Sequence, residues 1–290
     1  MINGEHYSKH PYFDLLLPSN SLLESLVGHR IEGRVTCHEW PLSCVEVIDF
    51  EGGGLKYCKT MRPPSVEVEV YRSLSSPILV NYQVILPSDH STSILLDSFD
   101  GARLTPKVVL SYGFDAFLRI LDEKLGSLVG TKVVYLDLST QELVRLQMSE
   151  MVERLWRLYT TEPERQIESA LLEVTSKLAR SEVVEQAFIE GARYSNGDLS
   201  AENILIKDEE IKIIDWAFPK IISSRVEAVN LCRTLGLDPY QYFTDEIIAA
   251  SLLLQVRWYV ECAEVWFPIH HYRDEVRSLL LQLSKLRVRW

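Results

Sequence analysis

The sequence has few features of secreted, membrane-bound or metal-binding proteins. Its five cysteines include no pair at C-x-x-C spacing, so we interpret them as reduced thiols and not as a disulfide framework or zinc motif. The N-terminal stretch has no basic segment before its short apolar run, and no later apolar run is long enough to span a bilayer. These absences predict a cytoplasmic protein without a membrane partner.

Positive charge is also scarce. The chain has 30 Lys and Arg against 41 Asp and Glu, which gives a formal net charge of -11. Neutralising nucleic-acid phosphates requires clustered Lys and Arg, so this balance predicts no nucleic-acid partner. The 290 residues are 47% apolar and 24% charged, which is typical of a globular protein that can bury a core.

Several well-known catalytic motifs are missing. There is no H-E-x-x-H of zinc proteases, no G-x-S-x-G of hydrolases and no dinucleotide-binding G-x-G-x-x-G. His270 and His271 are adjacent, so they cannot share one face of a helix as two metal ligands. The sequence therefore argues against these three classes of site.

The distribution of patterns along the chain predicts two lobes. Up to residue 99, runs rich in Val, Ile and Tyr alternate with turn signals, including a triple glycine at residues 52–54 that predicts a hairpin. From about residue 104 the apolar spacing becomes helical, and Ser139 with Glu142 has the spacing of a helix-capping box. We therefore predict an α+β protein with an N-terminal lobe at 1–99 and a helical lobe at 100–290.

The most informative segment covers residues 194–218, YSNGDLSAENILIKDEEIKIIDWAF. Asp198 is followed five positions later by Asn203, and Asp215 ends the predicted hairpin. Phosphoryl transfer needs these groups together, because one carboxylate orients the attacking hydroxyl while an amide and a second carboxylate hold Mg²⁺. Each residue alone fits an ordinary turn, but their combination with two apolar strands indicates a phosphotransferase.

The segment resembles the H-G-D-x-x-x-x-N-h-L and h-I-D-W/F motifs of the aminoglycoside phosphotransferase and choline kinase family, where h is apolar. Matched by position, the resemblance implies that Asp198 is catalytic and that Asn203 and Asp215 bind the metal. One position departs from the family, since Asn196 replaces the usual His. The resemblance implies a protein-kinase-like two-lobed fold, with an antiparallel sheet and one helix in the N-lobe and a mostly helical C-lobe.

The resemblance also places a nucleotide lysine on the strand after the glycine turn. Lys56 and Lys59 both qualify, and Lys59 in the segment YCKT matches the family pattern better. Strand side chains alternate, so the two lysines face opposite sides and only one of them can reach the nucleotide. An ion pair with Glu67, or alternatively Glu69, would hold the chosen lysine near the phosphates.

Residues 94–104, ILLDSFDGARL, resemble the family's hinge strand, where adenine binds to backbone groups. This implies an adenine contact around Asp97 and Phe99. The loop at residues 38–44 occupies the place of the phosphate-covering loop but has no glycine pattern, which argues against a protein kinase.

The resemblance implies an enzyme that uses ATP and Mg²⁺ to phosphorylate a hydroxyl of a small molecule such as an amino alcohol, an aminoglycoside or a sugar. Glu261, Glu264 and Trp266 are candidates for an acceptor pocket, because aromatic and acidic walls suit a cation. The alternative is a pseudokinase that binds nucleotide or serves as a scaffold. Asn196 favours that alternative, as does the segment PKIISSRVEAVNL after the Asp215 triplet, which offers Glu227 but no Asp where the family often has one. Asp198, Asn203 and Asp215 favour the enzyme.

Overall fold

The computed structural model of the protein describes residues 6–85, 91–160, 166–267 and 272–288. Its strands are β1 Tyr7–Lys9, β2 Leu16–Pro18, β3 Ile31–Trp40, β4 Ser43–Phe50, β5 Gly54–Met61, β6 Leu74–Ser75, β7 Tyr82–Ile85, β8 Thr92–Asp97, β9 Ala102–Arg103, β10 Val129–Gly130, β11 Leu136–Asp137, β12 Ala192–Ser195, β13 Ile204–Lys207, β14 Glu210–Ile213 and β15 Lys220–Ser223. Its α-helices are α1 Asn20–Val27, α2 Glu67–Ser73, α3 Pro106–Tyr112, α4 Phe114–Gly126, α5 Gln141–Thr160, α6 Ser169–Leu178, α7 Glu182–Ile189, α8 Ser224–Thr234, α9 Asp245–Glu261 and α10 Arg273–Leu283. A 3₁₀ turn lies at Pro239–Gln241, and a π-helical turn at Cys262–Trp266 follows α9.

The chain divides into two compact units. Unit 1 comprises Met1–Arg103, Lys124–Tyr135 and Asn203–Pro219, and unit 2 comprises Leu104–Glu123, Leu136–Glu202 and Lys220–Trp290. Unit 1 thus includes a hairpin from within the range 100–290 that the sequence assigned to the second lobe. The domain boundary at residues 99 and 100 stays a prediction.

The largest sheet of unit 1 is antiparallel and, within the described ranges, has five strands in the order β3-β4-β5-β8-β7. One face, here called the core face, packs against α1 and buries Leu23, Ile48, Phe50, Cys58, Ile85 and Leu95. Burial of each large apolar side chain stabilises the fold by about 1.5–3 kcal/mol. Lys59 follows Cys58 in β5 and therefore lies on the opposite side, here called the Lys59 face.

Two helices flank this sheet, one more than the N-lobe helix that the family resemblance implied. The additional helix, α1, begins after Ser19, whose hydroxyl accepts a hydrogen bond from the Leu22 N–H at 3.2 Å. It ends at Gly28, which adopts the left-handed conformation that glycine tolerates best. The second helix, α2, begins at Glu67.

A smaller antiparallel sheet of unit 1 has the order β14-β13-β9. The hairpin of β13 and β14 pairs Ile204 with Ile213 at its open end and turns at Asp208, which has a positive φ of 54°. The predicted hairpin of the sequence motif is therefore present. It ends two residues before Asp215.

Unit 2 is mostly helical. Its central helix is α9, which packs against α5, α7, α8 and α10. A small sheet in the order β11-β15-β12 lies beside these helices, and β12 leads directly into Asn196 and Asp198. The observed elements confirm the predicted α+β class, with an antiparallel sheet in the N-terminal part and a helical C-terminal part.

The start of α5 differs from the sequence prediction. The hydroxyl of Thr140 caps the first turn, because it accepts a hydrogen bond from the Leu143 N–H at 3.4 Å. Ser139 instead donates its N–H to the carboxylate of Asp137 at 2.9 Å, because strand β11 ends there and the chain turns. Among the described residues, no helix combines the length and apolar character needed to cross a membrane.

Candidate active site

Three charged side chains from distant parts of the sequence meet in unit 1. The ammonium of Lys59 on β5 lies 2.5 Å from Glu67 Oε2 on α2 and 2.7 Å from Asp215 Oδ1 after β14. Glu67 is fully buried and the Lys59 side chain is 9% exposed, while Asp215 keeps 44% of its side chain exposed. We call this group the Lys59 triad, and its open side is the Asp215 carboxylate.

The triad keeps its charges through mutual compensation. Burial alone would lower the pKa of Lys59, but the negative charges of Asp215 and Glu67 outweigh it and raise that pKa. Burial would raise the pKa of Asp215, yet the neighbouring Lys59 ammonium lowers it. The pKa of Glu67 is raised because its complete burial outweighs the attraction of Lys59. Asp215 therefore stays ionised.

The backbone around Asp215 is held in an uncommon conformation. Asp215 has a positive φ of 60°, a region that non-glycine residues rarely occupy outside turns and functional sites. The next residue, Trp216, is fully buried, and its N–H donates to Glu67 Oε1 at 3.1 Å. Its indole N–H donates to the Ile213 carbonyl at 2.8 Å. Trp216 thus anchors the end of the hairpin to the helix that carries Glu67.

Asn203 lies at the same open end of the β13–β14 hairpin. The N–H of Ile214 donates to the Asn203 carbonyl at 2.9 Å, one residue before Asp215. The amide of Asn203 and the carboxylate of Asp215 supply the hard oxygen donors that Mg²⁺ prefers. This donor set fits a magnesium ion that is also held by phosphate oxygens. Within the described residues, no group of three or more His, Cys, Asp or Glu forms a metal site.

Lys56 and Glu69, the alternatives to Lys59 and Glu67, are not part of the Lys59 triad. Lys56 pairs in register with Ile48, so it is on the core face, and its ammonium lies 2.5 Å from Asp97 Oδ1. Glu69 is also in the first turn of α2, but Glu67 is the residue that contacts Lys59. The ion pair of Lys59 with Glu67 is therefore present, and its role toward a nucleotide stays a prediction.

The hinge-like segment, residues 94–104, begins within β8 and continues through β9. The Asp97 N–H donates to Asn81 at 2.9 Å, and the Ser98 N–H donates to Leu55 at 3.3 Å. Phe99 is half-buried, and the ammonium of Lys212 lies 5.7 Å from the centre of its ring. The N–H groups of Asp97 and Ser98 are thus engaged within the protein.

An aromatic residue that the sequence reading passed over lies on the Lys59 face. Tyr57 precedes Lys59 by two residues, so both side chains are on one side of β5. It pairs in register with Val47 and Leu96, and it remains 38% exposed. An exposed aromatic ring among apolar side chains suits a flat ligand. Strand alternation in GLKYCKTM was the signal that could have found it.

Asp198 belongs to a loop of unit 2, here called the Asp198 loop (residues 196–202). Asn196 is fully buried, accepts the Asp198 N–H at 3.3 Å and donates to the Asp198 carbonyl at 3.4 Å. Asn230 on α8 donates to Asp198 Oδ1 at 3.3 Å and to the Leu199 carbonyl at 3.3 Å. Asn196 therefore braces the loop, as an Asx-type turn does, and Asn230 orients the carboxylate.

A second set of contacts beneath this loop was not predicted. Ser195 donates its hydroxyl to the buried Glu227, and the Lys220 ammonium donates to the Gly197 carbonyl. Burial raises the pKa of Glu227, and the negative charge of Asp198 raises it further. The positive charge of Lys220 and the hydrogen bond from Ser195 act in the opposite direction. Glu227 is the acidic residue of the segment PKIISSRVEAVNL, which follows the Asp215 triplet. Its presence there was the sequence signal that could have pointed to these contacts.

The proposed acidic wall at the end of α9 is already paired with arginine. Glu264 contacts Arg157 and lies 3.4 Å from Arg154, while Glu261 lies 3.0 Å from Arg257. The guanidinium groups neutralise these carboxylates, so the prediction of a cation pocket from Glu261, Glu264 and Trp266 loses its electrostatic basis.

Comparison with known proteins gives the fold a context. No family model matches the sequence, and no curated protein matches it significantly. Several hundred solved chains match the structure. One is a point mutant of an aminoglycoside 2′-phosphotransferase IIIa in complex with GDP, with 15% identity, TM-score 0.58, and coverage of 91% of this chain and 95% of that one.

Two further solved structures belong to related phosphotransferases. A choline/ethanolamine kinase family protein from Mesorhizobium loti has 11% identity, TM-score 0.59, and coverage of 92% and 94% of the two chains. A type I macrolide 2′-phosphotransferase has 12% identity, TM-score 0.54, and coverage of 93% and 96%. The chain therefore has the protein-kinase-like fold of small-molecule phosphotransferases, which confirms at the level of fold the resemblance that its sequence motif indicated.

Proposed function

We propose that this protein transfers the γ-phosphate of ATP to a hydroxyl group of a small molecule in a Mg²⁺-dependent reaction. The observation that carries the proposal is the Lys59 triad, in which a buried cation is held by Glu67 and faces a partly exposed Asp215. A phosphotransferase needs a fixed cation for the nucleotide phosphates and a carboxylate for the metal at the same place.

The nucleotide binds to unit 1 in this proposal. Its base stacks on the exposed ring of Tyr57 and bonds to the Asp97 carbonyl and the Phe99 N–H. Lys59 contacts the phosphates, because it lies on the same face of the sheet as Tyr57. The buried carboxylate of Glu67 keeps the lysine side chain from swinging away.

Asn203 and Asp215 hold the magnesium ion, which supplies charge neutralisation between the phosphate groups when it is bound. The lowered pKa of Asp215 supports this role, because the carboxylate is ionised at neutral pH. The anchored Trp216 fixes the backbone on which that carboxylate sits.

Asp198 is the catalytic residue in this proposal. Its carboxylate orients the acceptor hydroxyl and accepts the proton as the new O–P bond forms and the bond to the ADP oxygen breaks. The bracing of its backbone by Asn196 and the hydrogen bond from Asn230 support a fixed carboxylate. The acceptor is an amino alcohol, an aminoglycoside or a sugar-like compound, in keeping with the names of the structural neighbours.

Asp198→Asn tests the proposal. The substitution preserves shape but removes the base, so ATP binding should persist while turnover falls about a hundredfold or more. Asp274→Asn is the matched control, because Asp274 is exposed in the first turn of α10. ADP release with Mg²⁺ and a panel of amino alcohols, aminoglycosides and sugars is the measurement. Equal turnover by Asp198→Asn and wild type would contradict the proposed chemistry.

Asn196 in place of the family His supports a second candidate, a nucleotide-binding pseudokinase. The same panel separates the two functions. The pseudokinase would be favoured if the wild-type protein binds Mg²⁺ and ATP but releases no ADP with any acceptor of the panel, and if Asn196→His does not restore ADP release.

A further inference from the structure

One side chain on the Lys59 face is directed there by an irregularity in strand β3. The register pairs Thr36 with Glu46 and then His38 with Val45, so Cys37 is an extra residue in β3. Such an extra residue is a β-bulge, and bulges commonly re-aim side chains next to functional sites. Regular alternation would put His38 on the core face with Thr36, whereas the bulge puts it on the face of Val45.

The same rung of the sheet links His38 to the Lys59 triad. Val45 pairs with His38 on one side and with Lys59 on the other, so the side chains of His38 and Lys59 lie on one face, two strand spacings or about 10 Å apart. His38 is exposed.

The hairpin that carries His38 offers few backbone groups to a phosphate. β3 and β4 are joined by a tight turn at Pro41 and Leu42, and Pro41 has no N–H to donate. A glycine-rich loop binds phosphates with its free N–H groups, and this hairpin has no such loop. A side chain of this hairpin is therefore the group to consider for a polyphosphate.

We infer that His38 binds the phosphate chain of the nucleotide on the Lys59 face of the sheet, in place of a glycine-rich loop. The inference rests on the proposed function, because it assigns the nucleotide to the Lys59 face. According to this inference, His38 contacts the phosphate groups of the nucleotide and contacts neither its base nor its ribose.

His38→Gln tests the inference through binding and not through turnover. Calorimetry should measure ATP, adenosine and inorganic tripolyphosphate, each with Mg²⁺. We expect Kd for ATP and tripolyphosphate to rise about fivefold or more, the effect of losing a charge-assisted hydrogen bond, and Kd for adenosine to stay unchanged. His38→Lys should retain ATP affinity, because it restores a cation at the same place. His29→Gln, at another exposed histidine of unit 1, is the control.

The outcomes separate the inference from the proposed function. ATP binding that is equal in wild type and His38→Gln would overturn the inference and leave the phosphotransferase proposal intact. A loss of adenosine binding in His38→Gln would also overturn it, because the effect would then concern the base site. Tripolyphosphate binding that needs His38, without binding of ATP, would support the phosphate site and contradict the proposed function. Wild-type protein that binds none of the three probes would overturn both.

Discussion

At the scale of single residues, the Lys59 triad shows why a buried charge is retained. Lys59 and Glu67 are both removed from water, and the free-energy cost of this desolvation can exceed what their mutual attraction returns. Such a pair is poor evidence for stability. The pair places a fixed ammonium beside the ionised Asp215, and the proposed function assigns these two groups to the nucleotide phosphates and the metal.

Lys59→Met should destabilise the protein by about 3–5 kcal/mol at neutral pH, because it leaves the buried Glu67 carboxylate without its counter-charge. In the variant, the folded-state pKa of Glu67 should rise further above its unfolded value. A group with a raised folded-state pKa contributes its full stability below the pKa of the unfolded state, and this contribution is lost as pH rises toward the folded-state pKa. The deficit should therefore grow between about pH 4 and pH 7.

Urea unfolding at both pH values measures this deficit. Lys56→Met is the control, since its pair with Asp97 is partly exposed and should change stability by about 1 kcal/mol or less. A deficit in Lys59→Met that does not depend on pH would contradict the assignment of its cause to Glu67.

At the scale of elements, strand pairs keep the helix of Glu67 in place. α2 runs directly into β6, and β6 pairs with β10 through Leu74 and Gly130. Gly130 has a positive φ of 122°, and a Cβ at this residue would lie 2.0 Å from the Ser73 carbonyl oxygen. Only glycine therefore permits this close approach of the two strands.

Gly130→Ala should destabilise unit 1 by about 2 kcal/mol or more, because both the backbone conformation and the contact with Ser73 become strained. Gly126→Ala is the matched control, since Gly126 ends α4 and has open space around its Cβ position. That control should be neutral or slightly stabilising. Equal urea midpoints for the two variants would show that the β6–β10 pair tolerates a side chain.

At the scale of the whole molecule, the segment of residues 194–218 contributes residues to both compact units. Asp198 belongs to unit 2, whereas Asn203 and Asp215 belong to unit 1 with the hairpin between them. The proposed catalytic residue is thus braced by helices and the proposed metal ligands by sheets. A ligand that needs Asn203 and Asp215 should stabilise the chain as a whole, because binding to the folded state shifts unfolding by mass action.

Mg²⁺ and ATP at about a hundred times the Kd should stabilise the protein by about 2.7 kcal/mol. Asp215→Ala should lose most of this gain, because the metal bridge to the phosphates is gone. Glu209→Ala, in the exposed turn of the same hairpin, should retain it. Thermal unfolding with and without EDTA is the measurement, and equal stabilisation of Asp215→Ala and wild type would count against Asp215 as a metal ligand.

The sequence by itself determined the features that depend on local periodicity and spacing. Alternation alone put Lys56 and Lys59 on opposite faces, and the spacing from Asp198 to Asp215 indicated a loop followed by a hairpin. The change from strand to helical patterns determined the α+β class. These features are local, because each follows from backbone geometry within a few residues.

Only the tertiary structure decided which groups meet. The choice of Glu67 over Glu69 depends on how α2 packs against the sheet and on Trp216, which is 149 residues away in the sequence. The extra residue Cys37 appears only once β3 is paired with β4, because a bulge is a property of two strands and not of one. The contacts of Glu227 likewise depend on helix packing, which no local pattern specifies, since burial of a charge is set by the elements around it.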